Sequence, residues 1–250
     1  YFCTDDPHRG APFQPDPWNA PNDFGNREEG YPGVTTIGYD PHEVLVPDFL
    51  PDTKECREEL AQYYQSVSRI DQGFGKLMRH LRESGKEENT IIIYISDNGV
   101  AFPGAKTTVY EPGIKLPCII KSPDLNQKGI VNNAMISWVD ITPTILDMAG
   151  IDIEKINFHG RSFNKILDQE DPSGWNKVFA SHIFHEITMY YPMRVIRKDN
   201  MKLIWNIAYG LEYPFASDLW ISSTWQSIHR NDKMYFGKRK VDDYLFRSEF

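Results

Sequence analysis

The chain has 250 residues, of which 40% are hydrophobic, and it carries a formal net charge of −8 with a sequence pI near 5.4. This length and composition can bury a substantial core, enough for one large domain or a domain and a half. The acidic balance and the absence of a Lys/Arg-rich stripe argue against a nucleic-acid partner, and no apolar run approaches the roughly 18 residues of a membrane-spanning helix.

The first residues, Tyr1 to Cys3, are predicted to form the end of a strand that begins upstream, so we expect the chain to be part of a longer protein. The polar run Thr4-Asp5-Asp6-Pro7-His8-Arg9 follows directly and would lie at the carboxyl end of that strand. A single histidine in such a place is usually structural. An imidazole can nevertheless give a proton to a departing amine or alkoxide near neutral pH.

Residues 10–53 are rich in Pro, Gly, Asn and Asp and are predicted to form a long irregular surface segment. Loops of this length in compact domains often line a site and are less often disordered. The next segment predicts a helix over residues 54–84, with Thr53 as its N-cap and Gly85 closing it. Its apolar residues recur at spacings of three and four, which predicts one buried face: Leu60, Tyr63, Tyr64, Val67, Ile70, Phe74, Leu77, Met78 and Leu81.

The apolar run Ile91–Ile95 predicts a central parallel strand covered by helices on both faces, and it ends on Ser96-Asp97-Asn98-Gly99. In open α/β sheets, ligands bind just beyond the carboxyl ends of such strands. The carboxylate of Asp97 and the carboxamide of Asn98 are hard oxygen ligands that suit Ca²⁺ or Mg²⁺. A simple turn after the strand is the alternative interpretation, because Asp, Asn and Gly all favour turns.

The residues after this strand carry further motif elements, namely Lys106 and then Tyr110-Glu111-Pro112-Gly113 before the apolar strand Cys118–Ile120. Together with Ser96 to Gly99, this arrangement over about twenty residues resembles the sulfatase family of the alkaline-phosphatase superfamily. The resemblance implies an α/β fold with an alkaline-phosphatase-like mixed sheet flanked by helices, followed by a small C-terminal antiparallel α+β subdomain.

Further along the chain, Thr142, Pro143 and Gly150 predict a short helix with Thr142 as its N-cap. The composition changes near residues 168–172, so we predict one domain over residues 1–170 and a smaller one over 171–250. Three strands are predicted in the smaller domain, over 177–182, 193–197 and 201–207, the last two joined as a hairpin at Lys198-Asp199-Asn200.

The segment from His185 to Arg194 and the run Asp5-Asp6-Pro7-His8-Arg9 are similar to the sulfamidase subgroup of the sulfatases, which acts on N-sulfoglucosamine. The resemblance implies that His8 faces the sulfate group and either hydrogen-bonds it or assists the leaving group, and that Lys106 contacts the sulfate as a compact cation. It further implies that Asp97 and Asn98 supply half of a calcium site, Ca²⁺ being preferred to Mg²⁺. The residues expected to line the substrate are Asp6, Arg9, His185, Glu186 and Arg194.

The other half of the family's site is missing from these 250 residues. Sulfatases use a formylglycine nucleophile made from the Cys or Ser of a C/S-x-P-x-R motif, and no Cys or Ser here is followed by x-P-x-R. An Asp-Asp pair after an initial apolar strand is also missing, because Asp5-Asp6 belongs to a different motif. We therefore expect the formylglycine upstream and expect this polypeptide alone to be inactive. The cysteines Cys3, Cys56 and Cys118 are interpreted as buried or neutral thiols.

For the intact protein, the leading hypothesis is removal of sulfate from N-sulfated glucosamine of heparan-type glycans. The alternatives are an O-sulfatase acting on glycans, a phosphodiesterase or phosphatase of the same superfamily, and a non-catalytic protein that binds sulfated glycans. By resemblance, the intact protein would be exported or lysosomal. The expected partner is a sulfated sugar, and the sequence does not indicate an oligomeric state.

Overall fold

The computed structural model describes residues 2–10, 22–125, 127–187, 189–231 and 233–250. Its helices are α1 (Lys54–Glu83), α2 (Glu111–Ile114), α3 (Ile141–Met148), α4 (Ser217–Trp220), α5 (Ser223–His229) and α6 (Asp242–Leu245). Its strands are β1 (Ile92–Ile95), β2 (Cys118–Lys121), β3 (Lys177–His182), β4 (Met193–Lys198), β5 (Met201–Asn206), β6 (Tyr235–Phe236) and β7 (Arg239–Lys240). Within these ranges, no helix combines the length and apolar character needed to cross a membrane.

Helix α1 begins where its local sequence predicts. Thr53 has an extended backbone, and its hydroxyl accepts a hydrogen bond from the Cys56 amide at 3.3 Å, which satisfies one of the free amides of the first turn. Gly85 follows the end of the helix with a φ of +69°, a conformation that glycine adopts without strain. The predicted N-cap and closing glycine are thus confirmed.

The predicted apolar face of α1 is only partly correct. Its buried residues lie in the first half of the helix, whereas Val67 and Leu77 in the later half are 38% and 44% exposed. The first half packs against the irregular segment before it and against α5, and this contact decides which residues are buried. The buried residues of α1 are Cys56, Glu59, Leu60, Ala61 and Ser66.

Strand β1 forms an antiparallel two-stranded sheet with β2, in which Ile93 lies opposite Ile120. The prediction of a parallel strand was therefore wrong for the residues that the structure describes. A parallel connection needs a crossover, usually a helix of several turns, but the chain between β1 and β2 contains only the single turn of α2. The chain thus returns beside β1 in the opposite direction.

The smaller predicted domain contains a three-stranded antiparallel sheet in the order β3-β4-β5. The strand over residues 177–182 is confirmed, and the other two differ from prediction by one residue at their ends. Lys198 pairs with Met201, so Asp199 and Asn200 form a two-residue hairpin loop in which Asp199 has a φ of +50°. Tight hairpin loops require such positive φ values, and Asp tolerates them. The hairpin prediction is confirmed.

Two other element boundaries differ from prediction. Helix α3 begins at Ile141, ahead of the predicted N-cap Thr142, because it continues directly from a 3₁₀ turn (Trp138–Asp140) that Ser137 and Asp140 cap reciprocally. Phe2 and Cys3 are in no strand, and Tyr1 lies outside the described residues. The predicted irregular segment is confirmed over residues 22–53.

Two buried clusters hold the elements together, and the C-terminal segment contributes to both. The first cluster joins the start of α1, Phe24 and Phe102 to Trp225 of α5. The second joins Val109 and the inner face of β4 to residues 213–219. Phe215 packs against both clusters, so the chain after β5 lies against the loop that follows β1. The domain boundary at residue 170 stays a prediction.

Candidate active site

The loop after β1 is a compact turn made of the predicted ligand residues. The Asp97 carboxylate accepts a hydrogen bond from the Asn98 amide at 2.9 Å, and the Ser96 hydroxyl donates to the Asn98 carbonyl at 2.9 Å. A Cβ atom on Gly99 would overlap the Pro112 carbonyl oxygen, so only glycine lets this turn approach the turn at residues 110–113. The two motif turns found in the sequence therefore contact each other.

Asp97 and Asn98 fit the chemistry of a hard cation but do not complete a site for one. The side chain of Asp97 is exposed and that of Asn98 is half-buried, so their oxygens remain accessible. Ca²⁺ takes six to eight oxygen ligands, and among the residues that the structure describes no three His, Cys, Asp or Glu side chains gather to hold a metal. These two residues form at most part of such a site, and further oxygens would have to complete it.

Lys106 lies between a buried carboxylate, that of Asp218, and the imidazole of the exposed His8. Its side chain is 5% exposed, and its Nζ atom lies 2.8 Å from Asp218 Oδ2 and 3.3 Å from His8 Nε2. An ammonium group can only donate hydrogen bonds, so the facing His8 Nε2 is the acceptor and Nδ1 carries the proton of the neutral ring. The structure therefore brings together His8 and Lys106, two of the residues predicted from the sequence.

Sequence reasoning missed Asp218, the carboxylate partner of Lys106. It lies in the single turn of α4, 112 positions from Lys106 along the chain, and is 8% exposed. A Ser-Asp pair ahead of an apolar run is typical of a helix start, so the local sequence indicates an ordinary cap. No feature of the chain around Asp218 indicates a lysine partner.

Arg9 points into the core rather than towards the candidate site. Its guanidinium is 1% exposed and forms a two-pronged ion pair with Glu59, with N–O distances of 2.8 and 3.0 Å. Its Nε atom donates to the Ala101 carbonyl at 3.1 Å, and the group stacks on the Phe24 ring. This burial points to an anchoring role instead of the predicted contact with substrate.

Asp6 is also engaged by the protein itself. Its carboxylate accepts from Arg69 Nε at 2.6 Å and from the Ser66 hydroxyl at 3.0 Å, both on α1. His8 lies between Asp6 and Arg9, and its own side chain is exposed. The anchored neighbours fix the turn that presents the His8 imidazole beside Lys106.

The predicted substrate residues of the smaller domain lie in two different places. Glu186 Oε1 accepts from the Ser217 amide at 3.1 Å and from its hydroxyl at 2.9 Å, so Glu186 holds the start of α4. His185 is exposed beside it. Arg194 lies on the outer face of the three-stranded sheet, whereas its neighbours Met193 and Val195 face the cluster behind Val109. The structure does not bring Arg194 towards Lys106, because successive side chains of a strand point to opposite faces.

Glu111, in the turn that Gly99 contacts, connects this turn to the three-stranded sheet. Its Oε1 lies 2.8 Å from Lys202 Nζ and 3.2 Å from Arg197 Nε. Partial burial of the carboxyl raises its pKa, but the Lys202 hydrogen bond and the charges of Lys202, Arg197 and Lys115 outweigh this effect and lower the pKa below 4.5. The folded state therefore favours the ionised carboxylate.

We expect Glu111→Gln to remove a contribution to stability that depends on pH. Because the pKa of Glu111 is lower in the folded state, its carboxylate stabilises the fold at pH values above the unfolded-state pKa near 4.5. This stabilisation is lost as the pH falls through the folded-state pKa. The difference between wild type and variant in the free energy of unfolding should stay below about 1 kcal/mol at pH 7, because the carboxylate is partly solvated, and should shrink at lower pH. Urea unfolding at pH 7 and pH 4 measures it. Asp124→Asn, at an exposed position, is the control, and a difference that does not change with pH would contradict the assignment.

Comparison with known proteins gives matches over most of the chain. The family profile described as Sulfatase matches residues 1–151, and the profile described as N-sulphoglucosamine sulphohydrolase, C-terminal, matches residues 104–214. Human N-sulphoglucosamine sulphohydrolase is 37% identical over 240 residues, which cover 91% of this chain and 47% of that protein. N-acetylglucosamine-6-O-sulfatase of Bacteroides thetaiotaomicron is 31% identical over 160 residues, covering 59% of this chain and 28% of that protein.

Among solved structures, a protein in complex with its substrate D-glucosamine-2-N,6-O-disulfate matches with a TM-score of 0.53 and 27% sequence identity. The match covers 63% of this chain and 34% of that one. The chain thus spans about half the length, or less, of the known proteins that it matches.

Proposed function

The chain belongs to the sulfatase family and has its alkaline-phosphatase-like α/β fold, and we propose that it forms the later part of an enzyme that removes sulfate from N-sulfated glucosamine in heparan-type glycans. The observation that carries the proposal is the position of Lys106 Nζ, 2.8 Å from Asp218 and 3.3 Å from an exposed His8. The 37% identity to human N-sulphoglucosamine sulphohydrolase supports the N-sulfated substrate.

Lys106 is the residue that would stabilise charge on the sulfuryl group. Negative charge on the sulfuryl oxygens must be offset while the bond to the leaving group breaks. A fixed ammonium group in a water-poor site does this more effectively than one in water, because it needs no reorganisation. Lys106 is 4% exposed and held in place by Asp218, so it meets both requirements.

His8 is the residue that would protonate the leaving group. An amine or alkoxide leaves more readily when it receives a proton as the bond breaks. With Nε2 facing the Lys106 ammonium, the Nδ1–H of His8 would pass its proton to the leaving atom while Nε2 takes a proton from Lys106, so that the ring stays neutral. Asp6 and Arg9 contribute indirectly, because their ion pairs with Arg69 and Glu59 fix the turn that carries His8.

Asp97 and Asn98 would hold a hard cation, for which we propose Ca²⁺ in preference to Mg²⁺. Such an ion, when bound, polarises the sulfuryl oxygens. The nucleophile, formylglycine in this family, would come from another part of the full-length protein, since no Cys or Ser of these 250 residues is followed by x-P-x-R. We propose that this motif and an Asp-Asp pair lie in the part of the full-length protein outside these 250 residues.

We further propose that the exposed His185 contacts the sugar, while Glu186 acts through the start of α4. Arg194 is not included, because it lies on the outer face of the sheet. The expected partner is a sulfated sugar and not a nucleic acid, and we propose an exported or lysosomal enzyme.

Sulfate release by the full-length protein tests this function. We expect release from N-sulfoglucosamine to be at least tenfold faster, in kcat/KM, than release from a 6-O-sulfated, N-acetylated analogue, an estimate from the usual discrimination of sites that hydrogen-bond a specific group. The resemblance to an N-acetylglucosamine-6-O-sulfatase makes an O-sulfatase the second candidate. Release from the O-sulfate alone would establish that second candidate, and binding without any release would establish a non-catalytic protein.

A further inference from the structure

The segment from Tyr213 to Trp220 contacts the Lys106 loop at two adjacent residues. The Tyr213 hydroxyl lies 2.9 Å from both the side-chain and the carbonyl oxygen of Thr107, and Asp218 binds Lys106. Thr107 has a φ of +65°, which is rare for a residue with a branched side chain. Strained backbone of this kind persists where surrounding contacts enforce it, and it clusters at functional sites.

Both side chains of the ion pair between Asp218 and Lys106 are buried. The side chains are 10% and 5% exposed, so water competes little for the ammonium group. Asp218 Oδ1 is buried without a hydrogen-bond partner in the part of the chain that the structure describes, and Oδ2 takes the lysine. A single carboxylate oxygen therefore fixes the position of Nζ opposite His8.

Helix α4, which carries Asp218, is itself held at its first residue. The Glu186 carboxylate accepts from both the amide and the hydroxyl of Ser217. At the start of the next helix, α5, the backbone amides of Ser223 and Thr224 donate hydrogen bonds to the Glu59 carboxylate. The same carboxylate pairs with Arg9. Contacts thus run from the turn that carries His8, through the C-terminal segment, to Lys106.

We propose that Asp218 is a positioning residue of the sulfatase site. Asp218 holds the Lys106 ammonium beside His8, so the smaller domain contributes a residue to the site. This inference rests on the proposed function and deepens it. The alternative is a purely structural ion pair, in which Asp218 contributes to folding but does not act through the reactive position of Lys106.

A double-mutant cycle in the full-length protein separates these roles. We expect Asp218→Asn to lower kcat for sulfate release from N-sulfoglucosamine by about 10- to 100-fold, the usual effect of losing a group that orients a site residue, with KM changed by less than about threefold. In a Lys106→Gln background, Asp218→Asn should have no further effect on kcat. The control is Asp242→Asn at the start of α6, an exposed acid outside the site.

Lys106 reactivity provides a readout that does not need turnover. Acetylation by dilute acetic anhydride, followed by mass spectrometry, should be several-fold faster at Lys106 in Asp218→Asn than in wild type, and unchanged in Asp242→Asn. The inference would be overturned if Asp218→Asn and Asp242→Asn had equal kcat. It would also be overturned if Asp218→Asn lowered kcat by the same factor in the wild-type and Lys106→Gln backgrounds. If the wild type releases no sulfate, the proposed function fails, and unchanged Lys106 labelling then overturns the positioning role separately.

Discussion

Replacing Glu59 by alanine should lower the free energy of unfolding by about 3 kcal/mol, the lower end of the usual cost of breaking a buried ion pair, because Arg9 keeps only its longer 3.4 Å contact with Asp23. Arg9 is 1% exposed and Glu59 is 2% exposed, so neither charge can turn to water when the other is removed. Glu59 also accepts hydrogen bonds from the Ser223 amide and the Thr224 hydroxyl. The loss would therefore affect three segments at once: the His8 turn, α1 and the start of α5.

Urea unfolding of the full-length protein measures this effect, and Glu58→Ala on the same helix is the matched control. The Glu58 side chain is 47% exposed, and its contact with Lys54 is long, at 3.8 Å. Its loss should therefore cost less than about 0.5 kcal/mol. The double variant Arg9→Met/Glu59→Leu should recover only part of the lost stability, because it removes both buried charges together but leaves the Ser223 and Thr224 donors without their acceptor. If Glu59→Ala is no more destabilising than Glu58→Ala, the buried ion pair is not the anchor described here.

Replacing Lys106 by glutamine should lower kcat/KM for sulfate release by about 10²- to 10³-fold, the usual loss when one preorganised donor to a developing anion is removed. Glutamine keeps most of the side-chain length but loses the charge. Lys106→Arg should retain more activity than Lys106→Gln, although its planar group cannot reproduce the position of a compact ammonium.

Steady-state kinetics on N-sulfoglucosamine measure the Lys106 effect, and thermal unfolding shows whether each variant is folded. Lys106→Gln also leaves Asp218 unpaired, so a fall in Tm is expected as well. A folded Lys106→Gln variant with wild-type kcat/KM would remove Lys106 from the mechanism.

Elements governed by local contacts were predictable from the sequence. The start of α1 depends on Thr53 and an amide three residues away, and the β4–β5 hairpin depends on the two residues of its loop. The direction of β1 relative to β2 was not predictable in this way, because an apolar run does not encode the direction of its partner. Likewise, the exposure of Val67 and Leu77 depends on what covers α1, which the helix sequence does not contain.

The candidate site shows the same division between local and distant information. His8 and Lys106 were predictable from motifs, and the structure brings them within 3.3 Å of each other. Arg9 belongs to the same motif as His8, but it is buried in the core, where it pairs with the Glu59 carboxylate 50 positions away. Asp218 could not be found from its own surroundings, because its partner lies 112 positions away and its local sequence is that of a helix start.

A crystal structure of the full-length protein with N-sulfoglucosamine bound would show whether Lys106 and His8 contact the sulfamate group. We expect a sulfuryl oxygen within about 3 Å of Lys106 Nζ, the usual hydrogen-bond distance, with the sulfamate nitrogen facing His8. Asp218 should remain on the far side of Nζ, where it lies 2.8 Å away in the present structure. A sulfate group bound away from Lys106 and His8 would contradict the assignment of this site.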